Sequence, residues 1–73
     1  MPSRGPELPS ARVETDLRRR IEAGEWGQGE PLPSVGQLAA EYSVARNTVL
    51  KAIRKLADDG LIRVVPNWGT FRT

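Results

Sequence analysis

Five polar side chains within nine residues have the chemistry to contact a nucleic acid. Arginine can grip guanine, and asparagine can grip adenine, through paired hydrogen bonds. Threonine suits a phosphate or a thymine methyl group, and lysine neutralises a phosphate. The solvated face of an amphipathic helix carries the same residue types, so the stretch alone leaves both interpretations open. These residues are Arg46, Asn47, Thr48, Lys51 and Arg54.

The composition excludes most other kinds of site. The chain has 73 residues, enough for one small domain but too few for a deep pocket beside its core. It contains no cysteine and no histidine, which excludes disulfides, thiolate zinc sites and catalysis by either residue. The acidic pair Asp58 and Asp59 is expected to be solvated at a helix end. We therefore expect a binding module rather than an enzyme, with no cofactor, no metal site and no membrane span.

The formal net charge is only +2, from eleven basic and nine acidic residues. Whether the chain attracts a nucleic acid therefore depends on where the basic residues cluster. Arg18, Arg19 and Arg20 resemble a nucleic-acid patch. Consecutive helical residues, however, point about 100° apart, so at most two of the three can share one side. We interpret them as a solvated face, with Glu14 and Arg18 as a supporting i, i+4 ion pair.

The N-terminal part of the chain predicts an arm followed by a helix. Residues 1–9 hold three prolines and a glycine with little to bury, which predicts a disordered arm and places the domain at residues 10–73. Apolar residues four positions apart then predict a helix over residues 11–23, ended by Gly24. That apolar stripe consists of Val13, Leu17 and Ile21.

A connector and a second helix follow. Residues 25–33 contain too many glycines and prolines for a helix, although residues 31–33 could be extended. Ser34 begins the second helix, and Gln37 completes a capping box in which each side chain satisfies an unpaired backbone amide. This helix is predicted to run to about Tyr42.

The C-terminal half predicts a longer helix and a hairpin. Residues 45–59 form the third helix, whose apolar residues have i, i+3, i+4, i+7 spacing and are expected to face inward. Residues 61–65 and 70–73 are predicted strands, joined by a turn in which Asn67 and Gly69 can take a positive φ. The predicted fold class is mainly α with a small β-hairpin. The inward residues are Val49, Ala52, Ile53 and Leu56.

Two helices joined by a short turn, the second of them basic on its outer side, are typical of a helix-turn-helix, and the hairpin predicts a wing. Several motifs in this order resemble the GntR family of bacterial transcription regulators, over essentially the whole predicted domain. The motifs are Leu32-Pro33-Ser34, Leu38-Ala39, Val44-Ala45-Arg46-Asn47-Thr48-Val49, Lys55-Leu56, Asp59-Gly60-Leu61-Ile62 and Gly69-Thr70-Phe71.

The resemblance implies sequence-specific binding of double-stranded DNA by a transcriptional regulator, repressor or activator, in the bacterial cytoplasm. In that family the winged helix-turn-helix domain binds a palindromic operator as a dimer. A separate C-terminal domain binds a small-molecule effector and supplies most dimer contacts. This chain stops just after the wing, so we expect that domain to be absent from it and this domain alone to be a monomer or weak dimer.

The resemblance also implies roles for individual residues. Arg46 would be the main base-contacting side chain, with Asn47 and Thr48 on bases or phosphates, whereas Phe71 would belong to the core. The head of the second helix would lie near the DNA backbone, and the wing tip would approach the minor groove or flanking phosphates. The residues expected in these two places are Ser34, Gln37, Asn67, Trp68, Gly69 and Thr70.

The chain departs from the family pattern at five positions. Gly36 and Leu50 replace arginines that commonly reach DNA; Leu50 could contact a thymine methyl group or be an exposed residue without a role. Ala45 replaces a serine cap at a cost of about 1 kcal/mol, and Ser43 replaces a frequent turn glycine. Trp68 replaces a basic residue, and its indole could pack against DNA or fold back on the hairpin.

A second class of function stays open at this point: a winged-helix fold that contacts another protein and never touches DNA. The missing arginines at Gly36 and Leu50 favour this alternative, whereas Arg46, Asn47 and Thr48 favour DNA.

Overall fold

The computed structural model describes residues 8–73, which form three helices followed by a two-stranded antiparallel hairpin. The predicted fold class is confirmed. Residues 1–7, the larger part of the predicted arm, lie outside the described residues. No helix of residues 8–73 is long and apolar enough to cross a membrane. The elements are α1 (Pro9–Glu22), α2 (Val35–Tyr42), α3 (Arg46–Asp58), β1 (Ile62–Val65) and β2 (Gly69–Arg72).

Helix α1 begins at Pro9, so the predicted arm was too long at its C-terminal end. Proline is favoured in the first turn of a helix because an amide hydrogen there has no intrahelical partner, and proline lacks one. The helix ends at Glu22, and Gly24 follows with a φ of 86°. Gly24 thus supplies the left-handed residue that the sequence predicted after this helix.

One apolar core joins the three helices to β1. Helix α1 packs most extensively on α3, and α2 packs across α3. The predicted apolar stripes of α1 and α3 are buried, and each fully buried aliphatic side chain contributes roughly 1.5–3 kcal/mol to stability. This packing fixes the inner face of α3 and leaves its outer face to solvent. The core residues are Val13, Leu17, Ile21, Leu32, Leu38, Ala39, Val49, Ala52, Ile53, Leu56 and Ile62.

The hairpin pairs β1 with β2, with Val65 opposite Gly69 beside the turn. Asn67 has a φ of 68° and Gly69 a φ of 124°, as the turn prediction required. The amide of Trp68 donates to the carbonyl of Val65 at 3.0 Å and closes the turn. The tip is therefore held by backbone geometry and leaves the side chain of Trp68 outside the pairing.

The connector pairs with the second edge of β2. The amide of Leu32 donates to the carbonyl of Thr70 at 2.8 Å, and Pro31 forms a bridge with Phe71. Proline lacks an amide hydrogen and is tolerated in a sheet mainly at an edge, which is where Pro31 lies. The extended piece predicted in the connector thus forms the outer edge of the wing and ties the wing to the start of α2.

Phe71 is half-buried and does not belong to the core, so its predicted place in the core was wrong. In the observed register Phe71 lies opposite Arg63, and successive strand residues face opposite sides. Ile62 is the strand residue that is buried in the core, so Phe71 and Arg63 lie on the other side of the hairpin.

Candidate nucleic-acid interface

Helices α2 and α3 form a helix-turn-helix whose geometry is set at both ends of α2. At the start, the amide of Gln37 donates to the Ser34 hydroxyl at 3.1 Å, and the amide of Ser34 donates to the Gln37 side-chain oxygen at 2.8 Å. The predicted capping box is therefore confirmed. At the end, Ser43 has a φ of 56°, a left-handed conformation that costs a residue other than glycine roughly 1 kcal/mol.

The N-terminus of α3 has no side-chain cap. Ala45 is the N-cap residue, and its carbonyl accepts a hydrogen bond from the amide of Thr48 at 3.0 Å. The side chain of alanine has no hydrogen-bond acceptor, so the amides of Arg46 and Asn47 stay available to solvent or to an anion. Aligned peptide dipoles also make this end of α3 attractive to a phosphate.

The outer face of α3 is polar and basic, as the sequence predicted. The inward apolar residues of α3 lie in the core, whereas on the outer face Thr48 is half-buried and the other residues, including Leu50, are exposed. Thr48 therefore offers only part of its side chain to a ligand. The exposed residues on this face are Arg46, Asn47, Leu50, Lys51 and Arg54.

The cations of this face lack acidic partners within residues 8–73. Arg46, Lys51 and Arg54 take part in none of the ion pairs there, and only Lys55 on the same helix reaches an acid, Asp59, at 4.0 Å. When a cation without an acidic partner binds an external phosphate, no ion pair within the domain has to be broken. The face is therefore electrostatically ready for a polyanion.

A groove separates the helix-turn-helix from the hairpin; we call it the wing groove. One wall is the head of α2 with Arg46, and the other is the hairpin. Seven of the eleven residues predicted to contact DNA line this groove, whereas Asn47, Thr48, Lys51 and Arg54 lie outside it along α3. The lining residues are Pro31, Leu32, Ser34, Val35, Gln37, Arg46, Val64, Val65, Pro66, Asn67, Trp68, Gly69 and Thr70.

Arg46 lies beside the head of α2. A Cβ atom built on Gly36 would lie 3.9 Å from the Nη1 atom of Arg46 and 4.0 Å from the Ser34 hydroxyl oxygen, both ordinary van der Waals separations. The guanidinium of Arg46 therefore lies where the two helix N-termini meet the groove. Gly36 leaves space next to it.

The wing tip exposes an indole. Trp68 is 79% exposed, so it does not fold back on the hairpin, one of the two arrangements left open by the sequence. Val64, 51% exposed, lines the same groove. The sequence prediction missed Val64, although strand alternation from the buried Ile62 could have placed it on the groove side. The wing thus adds an apolar surface to a polar groove.

The arginines of α1 are engaged elsewhere. Arg18 donates to Glu14 at 2.9 Å, the pair predicted from the sequence, and also to Asp59 beyond the end of α3. Arg19 donates to Asp16 at 2.7 Å. Acids within the domain therefore neutralise Arg18, Arg19 and Arg20. None of the three lines the wing groove.

Arg20 connects three segments. Its guanidinium donates to Glu25 at 2.9 and 2.6 Å and to Glu41 at 2.8 Å, and it lies 4.9 Å from the ring centre of Trp26. It also donates to the Tyr42 hydroxyl at 2.9 Å. These contacts join α1 to α2 and to the connector, so Arg20 has a structural role.

Hydrogen bonds from these donors shift carboxyl pKa values. The Tyr42 hydroxyl and then Arg19 lower the pKa of Asp16. Arg20 lowers the pKa of Glu25, and Arg18 lowers that of Asp59. The ionised carboxylates are thus part of the framework that supports α2 and α3.

Taken together, the three helices, the paired wing and the basic outer face of α3 define a winged helix-turn-helix domain. Residues 9–71 match the family model described as "Bacterial regulatory proteins, gntR family". The chain belongs to this family of bacterial regulators, which are DNA-binding proteins rather than enzymes.

Related proteins include whole regulators of greater length. The chain is 40% identical over 55 residues to the HTH-type transcriptional regulator TreR of Bacillus subtilis, an alignment covering 75% of this chain and 23% of TreR. It is 32% identical over 60 residues to the histidine utilization repressor of Klebsiella aerogenes, covering 82% of this chain and 25% of the repressor. The chain therefore spans about a quarter of the length of these relatives.

Solved structures include close structural neighbours. The structure of the AraR DNA-binding domain in complex with operator ORE1 superposes with a TM-score of 0.93 at 27% identity, covering 100% of this chain and 89% of that one. A transcriptional regulator from Oenococcus oeni gives a TM-score of 0.86 at 26% identity, covering 100% of this chain and 61% of that one. Both similarities extend across the helices and the wing.

Proposed function

We propose that this domain recognises an operator in double-stranded DNA by inserting α3 into the major groove and placing the wing at the minor groove or the flanking backbone. One observation carries the proposal. The side chains of α2, α3 and the hairpin that suit phosphates and base edges converge on the wing groove and the adjoining face of α3, and the cations among them have no acidic partner within residues 8–73. The operator complex of AraR supports the same use of this fold.

The proposed contacts divide into base contacts and phosphate contacts. Arg46 contacts a base edge, and its position at the head of α3 suits a guanine. Asn47 contacts an adenine or a phosphate, and the half-buried Thr48 contacts a phosphate. Lys51 and Arg54, one turn and two turns further along α3, neutralise phosphates.

The remaining proposed contacts come from the two walls of the wing groove. The first turn of α2 lies near one DNA strand, where side chains and amides can reach the backbone. The wing tip approaches the minor groove, where the absence of a Cβ atom at Gly69 allows a close approach. The residues assigned to these contacts are Ser34, Gln37, Asn67, Trp68, Gly69 and Thr70.

The length of the relatives supports a proposal about the larger assembly. TreR and the histidine utilization repressor are more than three times as long as this chain, which leaves room for a further domain in proteins of this kind. We propose that the complete regulator is a homodimer that binds a palindromic operator in the bacterial cytoplasm. A separate C-terminal domain would bind a small-molecule effector, and a relative named as a repressor favours repression.

The test is selection of bound sequences from a random duplex pool, with the chain joined to a dimerising coiled coil. We expect enrichment of a palindrome whose half-sites lie on one side of the duplex. If each domain neutralises about four phosphates, log affinity should fall against log salt with a slope of roughly −4 per monomer and twice that per dimer. Absence of any enriched sequence, together with a flat salt response, would exclude operator binding.

Contact with another protein is a second candidate, favoured by the exposed apolar side chains of Leu50, Val64 and Trp68. Amide chemical shifts recorded at low salt during a titration with random duplex separate the two. DNA binding predicts shift changes around Arg46 and Trp68. Unchanged shifts there would favour a protein partner.

A further inference from the structure

Leu50 is the one large apolar side chain on the exposed face of α3 among residues 8–73, and it is 41% exposed. Its neighbours one turn away along the helix are Arg46, Asn47 and Arg54. Neither arginine forms an ion pair with an acid of the described chain. An apolar patch therefore lies at the centre of a face equipped for a polyanion.

The surroundings of Leu50 select its partner. A leucine cannot bind a phosphate, and hydrophobic contact requires an apolar group that remains reachable when the flanking arginines bind DNA. In the major groove one base offers such a group, because thymine carries a methyl group at C5. The basic neighbours thus match the phosphates, and the leucine matches the methyl group.

We infer, on the basis of the proposed DNA binding, that Leu50 is a specificity-determining residue that contacts the C5 methyl group of a thymine in each half-site. Residues four apart on a helix are separated by about 6 Å along its axis, and stacked base pairs by about 3.4 Å. The thymine should therefore lie within roughly two base pairs of the base that Arg46 contacts.

Deoxyuridine substitution tests this contact, because uracil lacks the thymine methyl group and keeps the same hydrogen-bonding edge. The probe is the duplex recovered by selection, with each thymine replaced in turn. Loss of one buried methyl contact should weaken binding about fourfold at one thymine per half-site. Leu50→Ala should bind the thymine and uracil duplexes equally, because its shortened side chain does not reach the methyl group.

Lys51→Ala is the matched control on the same helix turn. It should weaken binding to both duplexes and keep the fourfold ratio, because Lys51 is assigned to a phosphate. Both side chains are exposed, and alanine favours helix, so far-ultraviolet circular dichroism of either variant should match that of the parent chain.

The outcomes separate this inference from the proposed function. If the selected duplex binds but every uracil substitution changes affinity less than about 1.5-fold, Leu50 contacts no methyl group and the inference is overturned. A uracil penalty that persists in Leu50→Ala would assign the methyl contact to another residue and overturn the inference. If no duplex is selected at all, DNA binding itself fails and this inference fails with it.

Discussion

Three of the basic side chains of helix α1 and three of those of helix α3 have opposite roles in this fold. Arg18, Arg19 and Arg20 all donate to carboxylates of this chain. Arg46, Lys51 and Arg54, on the outer face of α3, have no such partner within residues 8–73. The net charge of the two sets is the same, so charge count does not separate them.

What separates them is the position of the acids. Asp16 lies on α1, Glu25 at the start of the connector, Glu41 on α2 and Asp59 just after α3. The acids of the later segments reach α1 when the helices pack, and none of them reaches the outer face of α3. Neutralised arginines hold the domain together, whereas unneutralised ones are available to a ligand.

The largest expected effect tests whether the paired arginines of α1 stabilise the domain. Arg20→Ala should lower the free energy of unfolding by about 2–3 kcal/mol, because it removes charge-assisted hydrogen bonds and the contact with Trp26 from a side chain that is only 14% exposed. Urea denaturation followed by circular dichroism measures the change.

Arg19→Ala is the control for that experiment. Arg19 is 68% exposed and has one ion pair, with Asp16, so its loss should cost less than about 0.5 kcal/mol. Equal losses for the two variants would contradict a structural role specific to Arg20. Reduced DNA affinity of folded Arg20→Ala would place α1 in the interface.

The second prediction tests whether the unpaired cations of α3 bind DNA. Arg46→Ala should weaken operator binding by about 1–3 kcal/mol and relax the preference at one base position, while changing stability by less than about 0.5 kcal/mol. Binding to a set of singly mismatched duplexes measures the relaxation. Lys51→Ala is the control and should weaken binding to all sequences alike; uniform losses for both variants would rule out Arg46 as a base-contacting residue.

The features of these helices that can be predicted from the sequence are local ones. The capping box of Ser34 and Gln37, the apolar stripe of α1 and the exposed Arg46 depend on residues within one or two helical turns, where spacing determines contact. The Glu14 to Arg18 pair belongs to the same group and is confirmed. For such features, the spacing of residues along the sequence determines which of them are neighbours in space.

The remaining features depend on how distant segments pack. Arg18 meets Asp59, 41 residues away, and no local pattern indicates that pair. The resemblance implies a core position for Phe71, but the strand register places it on the other side of the hairpin. The exposure of Trp68 likewise required the turn geometry. The predicted DNA contacts of individual residues stay predictions.

A smaller effect distinguishes the capped start of α2 from the uncapped start of α3. Ala45→Ser should raise the free energy of unfolding by about 1 kcal/mol, because its hydroxyl can accept a hydrogen bond from an open amide in the first turn of α3. Thermal unfolding measures the gain. Ala40→Ser, which adds a hydroxyl inside α2, should give no gain, since serine is a weaker helix former than alanine. Equal changes at the two positions would contradict the capping argument.

The smallest expected effect is a dependence of stability on pH, caused by the carboxylates that accept hydrogen bonds from the arginines of α1 and from Tyr42. The pKa values of Asp16, Glu25 and Asp59 are lowered in the folded domain, so near pH 4 the unfolded chain binds more protons than the folded one. Their stabilising contribution is therefore present above about pH 4 and is lost as pH falls through the lower folded values. Melting temperatures measured from about pH 7 down to about pH 3 should fall accordingly.

Two arginine variants show which helix is responsible for this pH dependence. Arg18→Gln removes the donor that lowers the pKa of Asp59, so its melting temperature should depend less steeply on pH than that of the parent chain. Arg54→Gln removes a cation with no acidic partner within residues 8–73 and should leave the slope unchanged. A slope reduced equally by both would mean that the arginines of α3 also stabilise carboxylates, and the contrast between the two helices would be lost.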